Sequence, residues 1–284
     1  MSVKIPYKYY TFLFAIAISF CSCKSNAQKN THFKNYAFIV AGHTYGSPTD
    51  TSAGLYPSFI EHIKASTHPF AFGVFTGDIV KNPTAENWDR VYQQLTNIPY
   101  PVYFAPGNHD MGNRKLYKEM NGNADTCFSI NEDVFLIFDN TKYGWNMDSA
   151  QVYLFNEALS KLSIKSRLFV FGHNVLWQDH FSCATSNSLE GKGPTSLFWT
   201  SVIPQLLKLP NPVYWFAGDV GGTPKSKNVS FVKNGNIRLI TSGMGNGMFD
   251  NYLQIKVNYT NVMIDVIPLS KIEKPVPLKN YLCH

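Results

Sequence analysis

Residues 102–110 read VYFAPGNHD. A short β-branched and aromatic run stops at Pro106-Gly107, and three polar side chains follow at once: Asn108, His109 and Asp110. The run does not alternate, so it reads as a strand buried on both faces. The glycine lets the chain turn sharply and present the next side chain. The same arrangement repeats in both directions. Run 36–41 (YAFIVA) leads into Gly42-His43, and run 70–75 (FAFGVF) leads into Gly77-Asp78. Run 168–171 (LFVF) leads into Gly172-His173, and run 213–217 (VYWFA) into Gly218-Asp219. One polar strand terminus means little. Five in succession, offering His, Asp, Asn, His and Asp, read as ligands converging where strands end and loops begin. Nitrogen and oxygen donors of this kind suit Zn, Fe, Mn or Ni.

Further strands are expected at 134–138 (VFLIF) and 237–241 (IRLIT), and a terminal hairpin at 252–257 and 262–267 across Asn258-Tyr259-Thr260-Asn261. Helical spacing predicts helices over 85–95, 151–162 and 196–207, whose aromatics read first as core packing. Strands alternating with helices, then a hairpin, predict layered α/β architecture with mixed sheets. No Pro/Gly/Ser-rich linker interrupts the pattern, so residues 28–270 are taken as one domain and 271–284 as a surface tail. The chain has 284 residues, 15% of them aromatic, which argues against disorder. Its net charge of +6 is spread without a long basic block, so no nucleic-acid partner is expected.

The order and spacing of the polar termini resemble the calcineurin-like metallophosphoesterase family over nearly all of the chain after its first residues. Gly77-Asp78-Ile79-Val80 matches the family's Gly-Asp motif, Gly107-Asn108-His109-Asp110 its Gly-Asn-His-Asp motif, and Gly172-His173 its Gly-His motif. The resemblance implies a four-layer α/β/β/α sandwich with two mixed β-sheets. It also implies two metals bridged by Asp78, with the attacking water held between them. His109 would protonate the leaving oxygen or stabilise phosphate charge. Asp110, taken with it as catalytic, would orient His109 or another ligand.

Two motifs depart from the family pattern. Where the family has Asp-x-His, Ala41 replaces the Asp and only His43 is kept. Where it has Gly-His-x-His, the run is Gly218-Asp219-Val220-Gly221. One metal position therefore keeps Asp78, Asn108 and His173, with Asp219 in place of a histidine; a carboxylate is a competent ligand. The other keeps only His43 and Asp78. One divalent transition metal (Zn, Mn or Fe) is expected to bind strongly and a second weakly, with Asp50 as first suspect for a replacement ligand. Ala41→Asp with Gly221→His is expected to restore the second. Two bland readings stand beside these: Asp219 as a turn residue in Asp-Val-Gly-Gly, and His43 as a loop histidine. The function expected is hydrolysis of a phosphate ester, small or in the cell envelope. The alternative is a protein of this fold that lost catalysis and binds a ligand or partner there. Tyr45, Tyr143, Trp145, Trp177 and Phe181 lie in the loops and either stack on substrate or pack.

At the N-terminus, Lys4 and Lys8 precede the apolar stretch 11–20, far short of the ~20 residues of a spanning helix. This reads as an export signal over residues 1–22. Cys21-Ser22-Cys23 suggests a lipoprotein box that leaves a lipid-modified Cys23; Ser25-Asn26-Ala27 is the competing cleavage site. The expected location is periplasmic or membrane-anchored, with the lipid as sole membrane contact. Apart from Cys23, cysteines 127, 183 and 283 then remain, enough for at most one disulfide among them.

Overall fold

The computed structural model describes residues 35–47, 49, 54–142, 147–181, 183, 186–187, 196–222, 228–245, 247–270 and 273–283. Cys23, Asp50, Tyr143 and Trp145 lie outside the described residues, as do residues 1–22, read as an export signal. The first strand, β1 (Tyr36–Ala41), shows why its sequence does not alternate. Tyr36, Phe38 and Val40 pack into one apolar cluster, and Ala37, Ile39 and Ala41 into another. A strand with apolar matter on both faces belongs inside a layered fold.

β1 pairs in parallel with β2 (Phe72–Phe75), which pairs in parallel with β3 (Val102–Phe104). A second sheet starts with the antiparallel pair β4 (Thr126–Ile130) and β5 (Asp133–Ile137). It continues in parallel through β6 (Leu168–Gly172), β7 (Val213–Ala217) and β9 (Ile237–Ser242). The strand β8 (Val229–Asn234) closes its edge antiparallel to β9. The hairpin β10 (Asn251–Val257) and β11 (Val262–Pro268) returns to the first sheet beside β1. Both sheets are therefore mixed.

Between them lies a phenylalanine-rich layer. Phe38 stacks on Phe72 with ring centroids 4.7 Å apart and meets Phe135 and Phe169 of the other sheet edge-on at 5.7 and 5.4 Å. Helices α1 (Pro57–Ala65), α2 (Ala85–Leu95) and α3 (Arg114–Asn121) cover the outer face of the first sheet. Helix α4 (Ser149–Ser160) and a π-helical turn at Phe198–Val202 running into α5 (Ile203–Leu207) cover the second. The result is the four-layer α/β/β/α order.

Two expectations need correcting. The C-terminal segment is no loose tail. Val276 and Pro277 form β12 on β11, Leu278 is buried, and Cys283 is bonded to Cys183. Its apolar side chains find a place on the sheet edge that a polar tail would not seek. Tyr153, read as part of the α4 core face, is 70% exposed; one turn presents both faces, and Phe155 and Ala158 take the inner one.

Candidate metal centre at the strand ends

The two sheets touch backbone to backbone at their parallel strand ends. A Cβ on Gly42, after β1, would lie 2.4 Å from the Cα of Gly218, after β7. Only glycine at both positions permits that approach, and it draws the loops of both sheets into one place. His43, which follows Gly42, and Asp78, which follows Gly77 beyond β2, adopt φ of 52° and 53°, unusual for side chains with a Cβ. Backbone bonds hold this conformation: His43 N–H to Gly77 O at 3.0 Å, and Tyr45 N–H to Asp78 O at 2.9 Å. Such strain concentrates at functional sites.

His43, Asp78, His173 and Asp219 are all buried, while Asn108 is exposed and His109 half-buried. The cluster therefore opens to solvent on the side of β3. His173 is the hub. Its Nδ1 bonds the Thr76 carbonyl at 3.0 Å, which puts the proton on Nδ1 and turns the Nε2 lone pair inward. Around Nε2 stand Asn108 Oδ1 at 3.1 Å, Asp78 Oδ1 at 3.4 Å and Asp219 Oδ1 at 3.7 Å. Metal–ligand bonds of about 2.0–2.2 Å in a tetrahedron place ligand atoms about 3.4 Å apart. Asp78, His173 and Asp219 can each offer a ligand atom with all of these within 4.8 Å of one another. The donor set fits one divalent transition metal.

Burial, the largest influence on His173, pulls its pKa down. Asp78, Asp219 and the Thr76 bond together outweigh it, for a net rise. His43 goes the other way: burial lowers it more than Asp78 raises it. His43 Nε2 lies 3.5 Å from Asp78 Oδ2, and its buried Nδ1 has no hydrogen-bond partner among the described residues. It thus faces the Asp78 oxygen opposite the one beside His173.

Asp110 does not reach His109 with its side chain. Its Oδ1 accepts from Ile79 N–H and Val80 N–H at 2.9 and 3.0 Å, and its Oδ2 from Gly107 N–H at 2.7 Å. It thus ties the Asp78 and Asn108 loops together, which agrees with the expectation that it orients His109 or another ligand. Burial first, then the Asp78 carboxylate, push its pKa up to about 7. His109 Nδ1 contacts the Lys81 carbonyl at 2.8 Å, and Tyr45 Oη lies 3.5 Å from His109 Nε2. Tyr45 is buried between the two histidines, its ring centroid 4.4 Å from that of His43 and 5.0 Å from that of His109. Trp177 is wholly buried in the core, and Phe181 packs against the same cluster. Packing thus accounts for these two.

The profile of the calcineurin-like phosphoesterase family matches residues 48–243, more than half of the chain. The chain belongs to the calcineurin-like phosphoesterase family. A relative in Haemophilus influenzae, the 3',5'-cyclic adenosine monophosphate phosphodiesterase CpdA, is 26% identical over 142 residues, 46% of this chain. The chain spans about half (52%) of that relative's length. Among solved structures, purple acid phosphatase PPD1 from yellow lupin (Lupinus luteus) superposes with a TM-score of 0.58 at 14% identity, covering 84% of this chain and 52% of the lupin chain. GAP50, the anchor in the inner membrane complex of Plasmodium, gives a TM-score of 0.56 at 16% identity, covering 86% and 88%. These two share the fold.

The surroundings of the family's second metal position differ by more than two substitutions. Gly221 has φ +93°, and a Cβ there would lie 2.9 Å from Met244 N. Ala41 packs in the apolar cluster with Leu55, Phe59 and Phe75. Reinstalling a histidine and an aspartate would therefore meet backbone strain at Gly221 and burial among apolar side chains at Ala41. Two residues near the site carry no sequence signal. Ser186 donates its hydroxyl to Asp219 Oδ2, and Asn187 Oδ1 accepts from Gly222 N–H at 2.9 Å. Both sit in a stretch of sequence between β6 and the π-helical turn that matches no motif.

Proposed function

We propose that this protein is an exported metal-dependent phosphoesterase that hydrolyses a phosphate ester at a one-metal site. Asp78, Asn108, His173 and Asp219 would hold the metal, with His43 on its far side. The observation that carries this reading is the ring of three oxygens at 3.1–3.7 Å around His173 Nε2. When bound, a divalent metal supplies Lewis-acid polarisation of a phosphoryl oxygen. The chain's own groups do the rest. Thr76 fixes the His173 tautomer, and Asp110 holds the two ligand loops in register. With Nδ1–H of His109 committed to Lys81 O, the doubly protonated ring would give its Nε2 proton to the leaving oxygen and be left as the Nδ1–H tautomer.

Export is supported by the Cys183–Cys283 disulfide, since such bonds persist in oxidising compartments. Anchoring through Cys23 remains part of this reading, and mass spectrometry of the mature N-terminus tests it. An unmodified Gln28 at the start would replace the lipid anchor with a released periplasmic form.

The test of activity is metal content per purified chain, followed by turnover of an aryl phosphodiester and of 3',5'-cyclic AMP, the diester named for the Haemophilus relative, with added Mn or Zn. Metal uptake with turnover of either supports the enzyme. The altered second position favours a second reading, a binding protein at the envelope without catalysis. Metal uptake with no turnover of any ester would select it.

A further inference from the structure

Ser186 and Asn187, which follow β6 in the sequence, lie against Asp219 and Gly222 at the strand ends, and these two side chains are absent from the family motifs. We propose that Ser186 and Asn187 are positioning residues of the metal centre, held over it by the Cys183–Cys283 disulfide. This rests on the one-metal reading given above. Ser186 is buried and donates to Asp219 Oδ2, leaving Oδ1 as the oxygen that faces His173 Nε2 at 3.7 Å. The Asn187 N–H bonds the Asp219 carbonyl at 2.9 Å, so the same segment also grips the backbone of the ligand it orients. Asp219 stands where the family has histidine. A carboxylate can present either oxygen, whereas an imidazole cannot swivel in that way, so the substitution calls for a partner that selects one.

Asn187 has a second task. A Cβ on Gly222 would lie 2.9 Å from Asn187 Nδ2 and 3.0 Å from His43 Nε2. The carboxamide thus stands beside His43, near where the missing histidine of the second metal position would reach. Its Nδ2 is buried and unpartnered among the described residues, as is His43 Nδ1. A neutral amide there fills the space without supplying an anion, which makes the centre mononuclear. The disulfide joins Cys183, three residues before Ser186, to Cys283, whose N–H is bonded to Phe231 O at 2.8 Å on the edge strand β8. Cys183 is thereby fastened to the second sheet.

The experiment is calorimetric titration of the apo full-length protein and its variants with Mn or Zn, beside apo thermal melts. Ser186→Ala should weaken the tight site by about ten-fold or more, and Ser186→Thr should restore it, because only the hydroxyl is needed. Asn187→Asp keeps an oxygen for Gly222 N–H and turns a carboxylate toward His43, so it should add a measurable second metal. Replacing both Cys183 and Cys283 by Ser should weaken the tight site in the same direction. If that double variant does not fold, the Ser186 pair still decides. Wild-type protein that binds no Mn or Zn overturns the metal reading and this proposal with it. Wild-type binding with Ser186→Ala unchanged overturns the positioning role alone.

Discussion

Nε2 of His173, from the second sheet, lies 3.4 Å from Oδ1 of Asp78, from the first. Residues separated by most of a hundred positions meet there because Gly42 and Gly218 let the two sheets' strand ends touch. The contact is too long for a strong hydrogen bond and has the separation of two ligands of one ion.

Asp78→Ala should therefore empty the centre. It removes the carboxylate shared by both metal positions, and metal per chain measured by plasma mass spectrometry should fall to background. His173→Ala should do the same, whereas His43→Ala should leave the tight metal in place. Retention of metal by the Asp78 variant would disprove the ligand assignment.

His109→Gln should lower turnover of an ester with a poor leaving group by about 10²–10⁴-fold, the usual contribution of a positioned acid. Its metal content should not change. The loss should be smaller for a nitrophenyl ester, whose leaving oxygen needs no proton. An equal loss with both esters would remove His109 from the acid role.

Gly221→His should destabilise the protein without adding a metal. A left-handed backbone costs a residue with a Cβ roughly 1–2 kcal/mol, and the Met244 backbone adds a clash at 2.9 Å. At about 2–4 °C per kcal/mol for a domain of this size, the melting temperature should drop by several degrees. A second metal bound by this variant would show that the loop at Gly221 can re-form.

Phe38→Ala should cost about 3–5 kcal/mol, measured by urea unfolding. The ring is fully buried and faces Phe72, Phe135, Phe169 and Phe171 from both sheets. The cavity would open in the layer that joins them, so a loss under 1 kcal/mol would mean that the sheets can close over it.

Above pH 10 the protein should lose stability through its buried tyrosines. Burial pushes Tyr252 up to about 12, and burial followed by Asp133 pushes Tyr36 well above the ordinary value. Each folded-state value exceeds the unfolded value near 10, so the native state holds more protons between the two. Their contribution is complete below pH 10 and lost as pH rises toward the folded values. Tyrosinate absorbance and circular dichroism should change together in that window; tyrosine ionisation well before unfolding would contradict it.

The strands and the polar residues at their ends were legible in the sequence. β1 and β7 span the residues of the runs YAFIVA and VYWFA, and the hairpin of β10 and β11 turns at Asn258–Asn261 as expected. Buried strands stopping at glycine leave a local mark, because both the apolar run and the turn are short-range requirements. Helices α1 and α3 and strands β4 and β8 escaped the reading. Their pattern is weak: Tyr117 alone is buried in α3, and β4 buries only Cys127 and Phe128. Such elements are held by the sheet they lie against, since packing outweighs propensity in short segments.

Residue types, motif order and the family resemblance pointed to one set of strand-end side chains: His43, Asp78, Asn108, His109, His173 and Asp219. They could not say what Asp110 touches, which oxygen of Asp219 faces inward, or that Ser186 and Asn187 lean over the centre. Nor could they show that position 221 sits at φ +93° and rejects a side chain. Those facts depend on contacts between distant segments and on backbone angles set by the approach of two sheets. A motif encodes the ligands a site keeps. Only the folded chain decides the space left around them, because that space is bounded by residues with no fixed spacing to the motif.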